Sequence, residues 1–64
     1  MIKLTRLGKK SNEPFILNCE LIETIEEKPD TTITLLNGKH FVVVESAAEV
    51  ISMVMQFKRS IHRG

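Results

Sequence analysis

Ile2 and Leu4 alternate with Lys3 and Thr5 at the start of the chain. A period of two gives a strand with one buried and one wet face, so a first strand is predicted over residues 2–7. Gly8 to Pro14 then collects turn formers and charges, and proline cannot donate to a sheet ladder except at its border. This stretch reads as a hairpin loop, followed by a short second strand over residues 15–18. Residues 18–27 fit two patterns: Leu21, Ile22 and Ile25 have helical spacing, while Ile22, Thr24 and Glu26 share one strand face. The β-branched content of Ile22-Glu23-Thr24-Ile25 favours a single turn over 18–21 and a third strand over 22–27.

Lys28-Pro29-Asp30 reads as a turn, because proline presets φ at the second turn position and an aspartate hydrogen-bonds the backbone beyond it. A fourth strand follows over residues 31–36. Asn37-Gly38 is the strongest local signal, since a type I′ hairpin needs φ > 0 at both central residues and these two tolerate it best. The fifth strand, over 39–45, then pairs back antiparallel. Its run Phe41-Val42-Val43-Val44 is apolar on both faces, which calls for a central or covered strand.

Ser46-Ala47-Ala48-Glu49 fits the capping box, in which each of the two outer residues accepts a hydrogen bond from the other's backbone N–H. A helix is predicted over residues 46–62, with Lys58, Arg59 and Arg63 suited to the negative end of its dipole. At about 100° per residue its apolar side chains cover an arc of roughly 220°, twice the stripe that a helix on one sheet needs. The predicted fold is therefore α+β and mostly β. One domain over residues 1–64 holds a small curled or barrel-like antiparallel sheet of four to five short strands with one C-terminal helix. Ile2, Leu4, Phe15, Leu17, Ile22, Ile33, Leu35, Phe41, Val43, Val50, Val54 and Phe57 are its expected core.

Composition adds a constraint. A 64-residue chain with 42% apolar residues and a net charge of +1 removes only about 60% of its unfolded surface from water, so its core needs outside support. Cys19 is the sole cysteine, which excludes an internal disulfide and points to a reducing, cytoplasmic setting. Cys19, His40 and His62 contain no pair at metal-ligand spacing. No apolar run approaches the ~18 residues of a membrane span, and the charged start lacks the pattern of a signal peptide. Self-association or a protein partner is left as the support. Phe41, Val42, Val44, Met53, Met55 and Phe57 are the candidate contact residues, drawn from the apolar strand and the surplus helix arc. Asn37, Gly38, Ser46 and Glu49 are assigned structural roles in the turn and the cap.

Charge is segregated along the chain. Residues 1–10 carry Lys3, Arg6, Lys9 and Lys10 without an acid, residues 13–30 carry six acids against Lys28, and residues 58–63 are basic again. Such a distribution steers a charged partner or sets the register of an assembly. Nucleic acid is the alternative, because the opening strand is similar to that of small RNA-binding post-transcriptional regulators. A pI of about 7.9 and three phenylalanines with no Trp or Tyr supply neither a basic stripe nor a stacking platform. Catalysis lacks a constellation: no nucleophile stands in a local motif with His40 or His62, so no catalytic residue and no cofactor are assigned.

Four segments together resemble the flagellar FlbD family, also called the SwrD family of swarming-motility proteins. They are Met1-Ile2-Lys3-Leu4-Thr5-Arg6-Leu7; Leu21-Ile22-Glu23-Thr24-Ile25-Glu26-Glu27 with Pro29-Asp30-Thr31; Ile33-Thr34-Leu35 leading into Asn37-Gly38-Lys39; and Val43-Val44-Glu45-Ser46 before the helix. The match covers residues 1–58. A longer first hairpin loop and Cys19 in place of a small residue are departures from it. The resemblance implies a small cytoplasmic protein, not an enzyme, that supports the flagellar motor or its assembly through protein contacts.

Overall fold

The computed structural model describes residues 1–61, so His62 and Arg63 lie outside the described residues. The elements are β1 (Ile2–Arg6), β2 (Glu13–Leu17), β3 (Ile22–Glu27), β4 (Thr31–Leu35), β5 (His40–Val43) and α1 (Ala47–Ile61), with a turn of 3-10 helix over Cys19–Leu21. The strands make one open antiparallel sheet in the order β2-β1-β5-β4-β3. The mostly β, α+β fold expected from the pattern is the one observed.

Register decides which side chains meet. Ile2 faces Leu17 and Leu4 faces Phe15 across β1 and β2, while Ile33 faces Phe41 and Thr31 faces Val43 across β4 and β5. Directly opposed residues share a sheet face, so these apolar positions form one surface. The helix lies on that surface against β1 and β3, with Val50 fully buried beneath it. Leu4, Ile33, Val43 and Val50 are the largest fully enclosed side chains. Phe15, Ile22, Ile25, Phe41, Met53, Val54 and Phe57 pack around them. β5 lies between β1 and β4 with Phe41 and Val43 on the core face, while Val42 is on the opposite face and Val44, beyond the strand, is exposed.

Several boundaries differ from the pattern-based expectation. β2 begins at Glu13 and includes Pro14, because an edge strand turns alternate N–H groups to solvent, where proline loses nothing. The Asn37-Gly38 turn is not type I′. Gly38 has φ 89°, but Asn37 does not have positive φ, and the Gly38 N–H donates to the Leu35 carbonyl at 3.0 Å. The Leu35 N–H in turn donates to the Lys39 carbonyl at 2.7 Å. This is a three-residue loop, Leu36 to Gly38, in which a type I turn is followed by a glycine bulge. β4 therefore stops at Leu35 rather than 36, and β5 occupies 40–43 rather than 39–45. The Asn37 side chain accepts the Lys39 N–H at 3.0 Å, which fixes the exit from the loop. At the other hairpin, the Gly8 N–H donates to Asn12 Oδ1 at 3.2 Å, and a Cβ on Gly8 would run into the Ser11 carbonyl oxygen.

Candidate functional site

The candidate contact residues divide into two groups in the structure. Phe41, Met53 and Phe57 are half-buried and pack against the core. The Phe41 ring lies 5.2 Å from that of Phe15, and the Arg6 guanidinium stands over both, 5.0 Å from Phe15 and 5.2 Å from Phe41. A cation over two rings closes this side of the core with an apolar layer and a charged cover. Val42 is half-buried, whereas Val44 and Met55 are exposed.

Met55 belongs to a groove that helical periodicity alone did not reveal. Between β3 and α1 runs an open apolar channel of about 180 Å³, lined by Cys19, Ile22, Ile25, Ile51, Val54 and Met55, with Lys58 beside it. Ile22 and Ile25 come from the strand, and Ile51, Val54 and Met55 from the helix at spacings of three and four residues, which place them on one helix face. Met55 is 57% exposed and Ile51 47% exposed. Cys19 is buried as a free thiol at the groove floor. β3 is also the last strand of the sheet, so the outer edge of its backbone is open. The sequence carried a trace of this groove in the overly wide helix arc. It gave no sign that β3 would be the strand beside it.

The helix start is held from two sides. The Glu49 N–H donates to Ser46 Oγ at 3.1 Å and the Ser46 N–H donates to Glu49 Oε1 at 3.0 Å, completing the capping box. The Ala47 N–H donates to Glu27 Oε1 at 2.8 Å, a tie from the end of β3 that spans 20 positions of sequence. A cleft of about 250 Å³ opens here between Leu7, Glu27, Thr31, Val43, Ser46 and Glu49. Each of its two glutamates accepts a backbone N–H at the helix start. Among the described residues, no group of three or more His, Cys, Asp or Glu side chains is arranged to hold a metal ion. His40 is exposed on β5.

Glu45 joins the two parts of the sheet. Its Oε1 accepts the Thr5 N–H and its Oε2 accepts the Thr5 hydroxyl, both at 2.9 Å. Partial burial pushes its carboxyl up, but hydrogen bonds from the Thr5 N–H, its own N–H and the Thr5 hydroxyl together hold it below the ordinary value.

The family model for flagellar and swarming motility proteins, FlbD, matches residues 1–62. The chain belongs to the FlbD family. Comparison with curated proteins and with solved structures returns no match. Membership connects the fold to flagellar and swarming motility. No helix among the described residues is long and apolar enough to cross a membrane.

Proposed function

We propose that this FlbD-family protein supports flagellar motility as a cytoplasmic, non-enzymatic contact module, acting on the motor or its assembly by binding protein rather than by transforming a substrate. The observation that carries the reading is the groove between β3 and α1, where Ile51 and Met55 stay exposed beside a free strand edge. Contiguous apolar surface on a small domain marks an interaction site. The aromatic pair Phe15 and Phe41 is used inside the molecule under Arg6, which leaves it unavailable as a platform for stacked bases.

Met53 and Phe57 pack on the core, so charging them tests folding. Met55 is the better probe of the surface. A strain carrying Met55→Glu is expected to swarm less than wild type while the purified variant keeps its helix content and unfolding midpoint. Full swarming by that strain would contradict the reading.

A further inference from the structure

The sheet order turns a charge pattern along the chain into a polarity across the molecule. β2 and β3 are the two free edges. The β1–β2 hairpin carries Lys3, Arg6, Lys9 and Lys10 against the single acid Glu13, and all of these residues are exposed. Along the opposite edge Glu20, Glu23 and Glu26 are exposed, while the neighbouring Glu27 is engaged at the helix start. The hairpin side is basic on balance through β1 and its loop, while β2 itself carries only Glu13. The β3 side is acidic on balance, with Lys28 just beyond the strand and Lys58 beside the groove.

We propose that the protein associates head to tail with a second copy of itself, the basic β1–β2 edge of one copy docking on the acidic β3 edge of the next. Ile16, 63% exposed in the middle of β2, is the apolar side chain offered to the groove beside β3. The proposal rests on the contact-module reading and names the occupant of its groove.

Electrostatics selects this arrangement over a two-fold dimer. Pairing β3 with β3 would set glutamates against glutamates, and pairing two β1–β2 edges would set lysines against lysines. Like charges across an interface cost several kcal/mol, whereas opposite charges steer encounter and fix register. A contact between different patches is heterologous, and it propagates unless the rotation closes a ring. Pro14 removes one N–H from β2, and a register shift between Ile22 and Thr24 interrupts β3. These features blunt backbone pairing, so side chains carry the contact and salt weakens it. A specific interface takes roughly 800 Å² from each partner. That is about one-sixth of the 4808 Å² this chain exposes, a share that one side of a 43 × 22 × 18 Å molecule supplies.

Sedimentation velocity on the full chain tests the proposal, with wild type, Lys9→Glu/Lys10→Glu and Glu23→Lys/Glu26→Lys, each checked for native circular dichroism. Wild type is expected to grow in mass from low to high micromolar concentration at low salt and to shrink at high salt. Each reversed variant alone should associate on the order of tenfold more weakly or worse. An equimolar mixture of the two should regain assembly, because each then presents the charge that the other lacks. Wild type monomeric throughout, either variant assembling like wild type, or folded variants that stay monomeric when mixed would each overturn the proposal. None of those results decides how the Met55→Glu strain swarms, so the contact-module reading stands or falls separately.

Discussion

At the scale of single residues, Glu45 does the work of a strand neighbour. β1 and β5 share one register pair, Arg6 with Val43, and the Thr5 N–H finds a carboxylate oxygen rather than a carbonyl. A carboxylate whose folded pKa is lowered stabilises the fold above its unfolded pKa, and that contribution disappears as pH falls through the folded value. The window for Glu45 therefore opens at the ordinary value of 4.5 and extends below it. Acid titration of the urea midpoint should show a decline through this window that Glu45→Gln lacks, with the variant already less stable at neutral pH. An identical acid limb in both proteins would exclude this role. The partnership was illegible in sequence, since Thr5 and Glu45 lie 40 positions apart and neither belongs to a local motif. Gly38 was legible because its dipeptide is a turn signal, but the φ of Asn37 was not. Leu36 looked like strand, and only the bond from the Gly38 N–H to the Leu35 carbonyl shows it inside the loop.

Among the elements, the helix has the clearest local code and a tertiary support that the code omits. Ser46 and Glu49 satisfy each other's backbone N–H groups as their spacing of three requires. Ser46→Ala should cost about 1 kcal/mol by loss of the cap. Glu27→Ala should cost about 0.5–1 kcal/mol by removing an anion from the positive helix end. Both act on the first turn of α1, so a double-mutant cycle followed by urea unfolding should give a nonzero coupling energy. Strict additivity would mean that the two supports are independent. Strand types were readable because periodicity survives in each segment. Strand ends were not, because Pro14 is acceptable only once β2 is known to be an edge.

The whole molecule has a narrow core and a sided surface. Val50 is fully enclosed between helix and sheet, so Val50→Ala should cost roughly 2 kcal/mol, a large fraction of a small domain's stability. Met55→Ser, at an exposed position of the same helix, should move the urea midpoint by less than about 0.5 kcal/mol equivalent. If the two variants unfolded alike, the division of α1 into a core face and a groove face would be wrong. All twelve residues expected in the core do belong to the buried cluster or pack against it. Ile25 and Met53 pack against it as well. Ile25 does so because β3 lies beside α1, a fact that depends on the order of strands rather than on either segment.

The sequence by itself determined the strands, the helix, its cap, the core-facing residues and the isolation of Cys19, because each is written in spacings of two to four positions or in a count. It also placed the charges in blocks. The tertiary structure decided that those blocks lie on opposite edges, that Glu27 and Glu45 are tied to distant backbone, and that Ile51 and Met55 border a groove with β3. Those features join residues far apart in the chain, and local periodicity carries no information about which strand becomes whose neighbour.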